Sequence, residues 1–281
     1  MASTSGSSQP KSSKQDQRAA LREKARIVRE QEAKRAQRNR TFTIVIAFIF
    51  VALVALAAWR ILASEGAGNG ANGEMGNYDG AARPVATTNV TDDGGILLDT
   101  EGGATAEESG APVIGVWSDY MCIGCQYFEM NNGEVMQEYM AAGELQAKLY
   151  PVNTMGQQMS TEAAAALYYT AEYAPEYVWA FNTALMERGF KSTAEGQPQP
   201  SASEIADIAA ELGMPEDVVN DMPASITSPE WQAMPADTVA VFRANGFRGT
   251  PTLTVDGVED GRWLIEGGPS VVDILAEVAA G

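Results

Sequence analysis

The sequence predicts an α/β domain that contains an all-helical insert and follows a single transmembrane helix. Three observations predict this layout. Residues 42–59 form an uncharged apolar run of eighteen residues near the N-terminus. A strand-like run, Val113 to Trp117, precedes the pair Cys122 and Cys125, which lies directly before a helical segment. A helical block over residues 157–245 then separates this unit from a second region of strand-like and helical sequence.

The charge distribution divides the chain into a basic head and an acidic remainder. The formal net charge is -18, yet residues 1–40 hold eleven Lys and Arg against four Asp and Glu, which leaves eight against thirty-three in the rest. Nucleic-acid binding needs clustered cations, so the acidic remainder argues against nucleic acid as a partner. The chain has no His, which removes His-dependent triads and most catalytic zinc sites from consideration.

The head is predicted to be a cytoplasmic basic segment, residues 1–40, followed by a transmembrane helix, residues 41–62. Four Lys and Arg lie within residues 34–40, whereas Arg60 is the only cation near the far end of the apolar run. This bias places the C-terminal part outside a cell membrane, expected to be bacterial. A cleaved signal peptide is the alternative, but its apolar core is usually about 7–15 residues long and follows a shorter basic segment.

The remainder is predicted to be a tether and one folded domain. Residues 63–110 are rich in Gly, Ala, Asn, Thr and acidic residues, a composition typical of a flexible tether. The ordered domain is expected over residues 111–281, with its helical insert at about residues 157–230. The predicted elements are strands at 113–117 and 145–152, helices at 126–142, 161–173, 175–188, 203–212, 229–244 and 269–280, and a hairpin of Thr252 to Val255 with Trp263 to Ile265.

The two cysteines are the candidate catalytic residues. Cys122 and Cys125 are the only Cys in the chain and fall between a strand end and a helix start, where free backbone N–H groups and the helix dipole stabilise a thiolate. The thiolate attacks in disulfide exchange, so Cys122 is predicted to be the nucleophile and Cys125 the resolving thiol. A structural staple is an alternative, although so short a loop stabilises little. A metal site is another, but two thiolates without His leave a tetrahedral ion two ligands short.

Two motifs carry a resemblance to a known family. The segment Asp119 to Cys125, DYMCIGC, and the segment Arg248 to Leu253, RGTPTL, resemble the DsbA-like family of thioredoxin-fold proteins. The resemblance covers about residues 111–281, and it implies a thioredoxin-like fold with a helical insert. It also implies that Pro251 is the family's cis-proline and that Thr250 offers its backbone to the substrate chain. An ordinary turn proline is the alternative interpretation.

The segment between the cysteines departs from the strongly oxidising members of that family, which often have Pro and His there. This chain has Ile123 and Gly124. Loss of the His is expected to make the disulfide less oxidising, although the helix N-terminus remains. Asp119 and Lys148 are interpreted as solvated surface charges, the alternative being a proton relay to or from Cys125, and no catalytic role is assigned to them. Trp117 is interpreted as a core residue.

The predicted function is therefore that of an extracytoplasmic thiol-disulfide oxidoreductase that introduces disulfides into exported proteins. A reductase or isomerase of the same fold, a binding or adaptor module without turnover, and a metal carrier are the alternatives. The dithiol needs no cofactor, and no metal ligand is assigned. The chain has no second dithiol, so a membrane electron-transfer partner, such as a quinone-linked thiol oxidase, is expected to reset Cys122 and Cys125.

Overall fold

The computed structural model describes residues 85–280. The predicted basic head, the predicted transmembrane helix at 41–62 and the first part of the predicted tether lie outside the described residues. Within residues 85–280, no helix is both long and apolar enough to cross a bilayer.

A mixed five-stranded sheet forms the centre of the described part. Its strands are β1 (Ile96–Leu97), β2 (Val113–Ser118), β3 (Gln146–Pro151), β4 (Thr252–Val255) and β5 (Val258–Glu259). They lie in the order β1-β3-β2-β4-β5. The central pair, β2 and β3, is parallel, and the other three pairs are antiparallel. A parallel pair needs a crossover connection, which the helix between β2 and β3 provides.

Seven α-helices accompany the sheet in the described part. They are α1 (Ile123–Ala141), α2 (Gln158–Tyr173), α3 (Val178–Thr193), α4 (Ala202–Glu211), α5 (Glu216–Ile226), α6 (Pro229–Ala244) and α7 (Val271–Ala280). An all-helical insert is present, because α2 to α6 follow one another without an intervening strand, but it runs to Ala244 and not to the predicted end at about residue 230. Ser201 caps α4 in a capping box with Glu204. Helix α5 is not among the predicted elements, and its sequence contains an internal proline, Pro223.

The two faces of the sheet are covered by different helices. Side chains alternate along a strand, so Val116 and Trp117 point to opposite faces. Val116 lies in the main hydrophobic core with residues of α1 and α7. Trp117 stacks on Tyr150 of β3, with 3.7 Å between ring centroids, and packs beside Phe242 of α6. Aromatic pairs of this kind add about 0.5–1.5 kcal/mol to the burial of their area. Trp117 thus packs with α6 on one face of the sheet, while Val116 belongs to the core that includes residues of α1 and α7 on the other face.

The predicted tether is wrong at its C-terminal end. Ile96 and Leu97 pair with Leu149 and Lys148 of β3, and Ile96 is fully buried. Leu98 forms a further bridge with Ala104. The ordered domain thus begins before the predicted boundary at residue 111. A two-residue strand has no detectable periodicity, and it becomes ordered only through its pairing with an edge that lies about fifty residues later in the chain.

The predicted hairpin is correct in its first strand and wrong in its second. β4 pairs with residues 258–259, whereas residues 262–264 form a short 3-10 helix. Asp256 and Gly257 both have positive φ, 48° and 82°, as a two-residue type I′ turn requires. So short a turn reverses the chain at once, and β4 therefore pairs with Val258 and Glu259.

Candidate active site

Cys122 lies at the N-terminal end of helix α1. It has an extended conformation, and its carbonyl oxygen accepts the backbone N–H groups of Cys125 at 3.0 Å and of Gln126 at 3.1 Å, which begins the helix. The helix therefore begins at the cysteine pair and not at residue 126 as predicted. The sulfur of Cys122 sits where the unpaired N–H groups of the first helical turn favour an anion.

The loop before β4 brings the second pair of predicted site residues to the cysteines. The thiol of Cys122 donates to the carbonyl oxygen of Thr250, with 3.2 Å between sulfur and oxygen. The Thr250–Pro251 peptide bond is cis, as the resemblance implies. A methyl group added at Gly124 would lie 3.3 Å from Pro251 and 3.7 Å from the Cys122 sulfur. The absence of a side chain at Gly124 therefore lets the loop approach the cysteine closely.

The environment of Cys122 favours its thiolate. A hydrogen bond from the Cys125 thiol, one from the Thr250 side chain and the backbone N–H groups of Cys125 and Gly124 together lower the pKa of Cys122 to about 6. Partial burial opposes them but is the smaller effect. Cys122 is 9% exposed, whereas Cys125 is 0% exposed. At neutral pH most Cys122 is thus ionised and nucleophilic.

Cys125 has the opposite character. It is fully buried, and burial is the main cause that raises its pKa well above the ordinary thiol value, with the neighbouring Cys122 raising it further. The backbone N–H of Asp119 donates to its sulfur at 3.4 Å. Both cysteines are free thiols in this structure. The two sulfurs thus differ as the predicted roles require, with an acidic thiol at the helix N-terminus and a buried thiol of raised pKa one turn further along the helix.

Asp119 does not lie on the surface, so the interpretation as a solvated charge is wrong. It is 0% exposed, and its carboxylate accepts the backbone N–H groups of Met121, Thr154 and Met155 at 2.7–2.9 Å. The hydroxyl groups of Thr154 and Ser160 donate to it as well. A buried carboxylate is stable when it accepts this many hydrogen bonds. Asp119 thereby connects the segment between β2 and α1, which leads to the cysteines, with the loop between β3 and α2.

Lys148 is also not a solvated charge. Its ammonium group lies 2.9 Å from the Asp93 carboxylate, and only 15% of the Lys148 side chain is exposed. The Tyr150 hydroxyl donates to the same carboxylate at 2.8 Å. These contacts tie the residues before β1 to strand β3, which is a structural role. Within residues 85–280, no group of three or more Cys, Asp or Glu side chains is arranged to hold a metal ion.

An exposed apolar stripe on α1 starts next to Cys122. It consists of Ile123, Tyr127 and Met130, which are 42%, 39% and 55% exposed and recur at the spacing of one helix face. Met155, held by Asp119, is exposed as well. This stripe is not among the sequence predictions, although the i, i+4, i+7 spacing of Ile123, Tyr127 and Met130 was a usable signal. Trp117, by contrast, is buried, as predicted.

Fold and site together define a thioredoxin-fold protein with a Cys-x-x-Cys dithiol and an inserted helical subdomain. The family model described as thioredoxin matches residues 101–261, and the chain therefore belongs to this thioredoxin family. No curated protein matches the sequence.

Solved structures of DsbA-like proteins share the fold. MdbA, a thiol-disulfide oxidoreductase from Actinomyces oris, is 20% identical with a TM-score of 0.59, and the match covers 69% of this chain and 92% of that one. MdbA from Corynebacterium diphtheriae is 17% identical with a TM-score of 0.55, covering 72% and 99%. DsbA from Mycobacterium tuberculosis is 22% identical with a TM-score of 0.50, covering 66% and 99%. The chain thus has the fold of DsbA-like thiol-disulfide oxidoreductases.

Proposed function

We propose that this chain is an extracytoplasmic thiol-disulfide oxidoreductase that introduces disulfides into exported proteins through Cys122 and Cys125. The observation that carries the proposal is the difference between the two sulfurs. Cys122 has a pKa lowered to about 6 and lies beside Thr250 at the helix N-terminus, whereas Cys125 is buried with a raised pKa. A structural staple would need no such difference. The MdbA and DsbA proteins that share the fold are named as thiol-disulfide oxidoreductases or DsbA.

The proposed reaction is a pair of thiol-disulfide exchanges. In the oxidised enzyme, a substrate thiolate attacks the sulfur of Cys122, the Cys122–Cys125 bond breaks, and Cys125 leaves and takes up a proton. A second substrate thiolate then attacks the substrate sulfur of this mixed disulfide, and Cys122 leaves as a thiolate. Two electrons pass from the substrate dithiol to the enzyme disulfide. A low pKa makes Cys122 a good leaving group in the second step.

The same thiolate favours the oxidising direction. Stabilising the thiolate stabilises the reduced enzyme, which raises the reduction potential of the disulfide. The helix N-terminus, Thr250 and the Cys125 thiol provide this stabilisation without a His between the cysteines. A reductase or isomerase would use the same exchanges in reverse, with Cys125 expelling the substrate from Cys122.

An exposed apolar surface lies beside the nucleophile. The apolar stripe Ile123, Tyr127 and Met130 begins at the residue after the nucleophile, and the Thr250 carbonyl contacts the sulfur of Cys122. Unfolded exported proteins expose apolar side chains together with their thiols, so this surface suits them as substrates.

The proposal includes the location and the redox partner. Residues 1–40 are cytoplasmic, residues 41–62 anchor the chain in the membrane, and the domain works on the outer side, where disulfides persist. Because Cys122 and Cys125 are the only cysteines, a membrane thiol oxidase must take the two electrons from the reduced dithiol after each turnover.

The equilibrium between the purified full-length chain and glutathione buffers tests the direction. The expected reduction potential lies above that of the glutathione pool of the cytosol, at about -200 mV or higher, and the oxidised chain should oxidise a reduced dithiol peptide. A potential near about -270 mV, which is typical of thioredoxin, would assign the chain to the reductases. A chain that exchanges with neither glutathione nor the peptide would exclude both.

A further inference from the structure

A second hydroxyl group lies behind Thr250. The side-chain oxygens of Thr154 and Thr250 are 3.2 Å apart, and the Thr154 oxygen is also 3.3 Å from the Asp119 carboxylate. Thr250 in turn contacts Cys122 through its backbone and its side chain. Asp119, Thr154 and Thr250 therefore form a continuous chain of contacts that ends at the nucleophile, although they come from three separate loops.

The number of hydroxyl protons determines which group donates in each of these hydrogen bonds. The Thr154 hydroxyl donates to the Asp119 carboxylate, so its single proton points to Asp119. The Thr154 oxygen is then free to accept, and the single proton of Thr250 points to Thr154. The Cys122 thiol donates to the Thr250 carbonyl meanwhile, which does not involve the Thr250 hydroxyl.

When Cys122 ionises, its thiolate becomes a second acceptor for the proton of the Thr250 hydroxyl. The thiolate has no proton left for the Thr250 carbonyl, and it accepts a hydrogen bond from the Thr250 hydroxyl instead. That hydroxyl has one proton, so it can donate to Cys122 only when it no longer donates to Thr154. The stabilisation of the thiolate is then reduced by the loss of the Thr250–Thr154 hydrogen bond.

We propose that Thr154, anchored by Asp119, is a positioning residue that competes with Cys122 for the hydroxyl proton of Thr250 and so limits the acidity of the nucleophile. The inference rests on the proposed function, in which the Cys122 thiolate is the reacting group. The titratable group in direct contact with Cys122 is the Cys125 thiol, and Asp119 lies behind Thr154. Asp119 keeps its backbone donors whichever way the hydroxyls turn.

Variants of Thr154 and Thr250 are expected to change the acidity of Cys122 in opposite directions. Thr154→Val and Thr154→Ala free the Thr250 hydroxyl and should increase the ionisation constant of Cys122. Thr154 is exposed and water competes for its hydrogen bonds, so the expected increase is about two- to fourfold. Thr250→Val removes the donor itself and should decrease the constant. Thr154→Ser keeps the hydroxyl and should behave as the unsubstituted chain.

The measurement is the pH dependence of iodoacetamide alkylation of Cys122 in the reduced full-length chain, with the site of reaction read by mass spectrometry. Thr161→Val is the matched control, because its hydroxyl accepts from Asn153 near the same loop but does not contact Thr250. Thermal unfolding of each variant identifies any that fail to fold, and two replacements at Thr154 keep the test independent of either one.

Three outcomes overturn the inference. An unchanged ionisation constant in both Thr154→Val and Thr154→Ala would mean that Thr154 has no influence on Cys122. A decreased constant would mean that Thr154 supports the thiolate. An equal change in Thr161→Val would mean that the effect is general to the loop. Alkylation needs only the thiol, so failure of disulfide exchange in the unsubstituted chain would refute the proposed function while the order of the variants could still be read.

Discussion

The backbone N–H of Asp119 donates to the sulfur of Cys125 at 3.4 Å, and the carbonyl of the same residue accepts the backbone N–H of Cys122 at 3.0 Å. One residue thus contacts both members of the dithiol through its main chain, while its buried carboxylate holds the loop between β3 and α2. The geometry of the two sulfurs therefore depends on a residue three positions before the nucleophile.

Asp119→Asn is expected to destabilise the domain. The NH2 group of Asn cannot accept hydrogen bonds, so some of the N–H and hydroxyl groups that now donate to the Asp119 carboxylate would lose their acceptor. Each buried donor without an acceptor lowers the stability by about 1–3 kcal/mol. Urea unfolding of the oxidised chain should show a loss of at least about 2 kcal/mol. Glu162→Gln is the matched control, because Glu162 is equally buried but one of its carboxylate oxygens has no hydrogen-bond partner among the described residues. Equal losses in the two variants would contradict the role given to Asp119.

Gly189→Ala is expected to destabilise the domain by disturbing the cysteine loop. A methyl group at Gly189 of α3 would lie 2.1 Å from the carbonyl oxygen of Tyr120, which also accepts the Gln126 side chain at 2.8 Å. Overpacking against backbone costs about 1–3 kcal/mol, more than Ala gains in helix propensity. Gly249→Ala meets no atom within 4 Å and should leave the free energy of unfolding unchanged. A stability equal to the unsubstituted chain in Gly189→Ala would contradict the close approach.

The stability of the reduced chain, relative to the oxidised chain, is expected to rise with pH. The pKa of Cys122 in the folded, reduced chain is about 6, which is below its value in the unfolded chain. Ionisation of Cys122 therefore stabilises the reduced fold. This stabilisation is complete above pH about 8.5, the ordinary thiol pKa, and is lost as the pH falls through about 6. The raised pKa of Cys125 destabilises the reduced fold only above pH about 8.5, where the Cys125 thiol of the unfolded chain ionises.

Urea unfolding of both redox forms between pH 5 and 8 measures this difference. Other titrating groups, such as the buried Glu129, occur in both forms and cancel to first order. The expected slope approaches about 1.4 kcal/mol per pH unit between the two pKa values. A difference that does not depend on pH would show that Cys122 has an ordinary pKa.

The domain is expected to be accessible from outside the cell. Protease added to intact cells should degrade the part after Pro112 and spare the basic head at residues 1–40, because the positive-inside bias orients the predicted anchor. Cells opened before protease treatment are the control and should lose both parts. Protection of the domain in intact cells would reverse the orientation.

The sequence predicted the site better than it predicted the surroundings of the site. Cys122 and Thr250 are 128 positions apart, and only the two-motif resemblance indicated that they meet. The burial of Asp119 could not be predicted, because its hydrogen-bond donors lie up to 41 positions away. An isolated acidic residue in a loop is most often solvated. Strand β1 escaped detection for a similar reason, since its two residues become ordered only through their pairing with β3.

The most direct test of the central claim separates the roles of the two thiols. Reduced full-length chains with Cys125→Ser or Cys122→Ser are incubated at pH 7 with a glutathionylated peptide, and products are resolved on non-reducing gels and by mass spectrometry. In Cys125→Ser, the Cys122 thiolate attacks the peptide sulfur, glutathione leaves, and the mixed disulfide accumulates because the chain has no second thiol of its own to resolve it. In Cys122→Ser, the buried, protonated Cys125 should form little or none. Equal trapping by the two variants would contradict the assignment of Cys122 as the nucleophile.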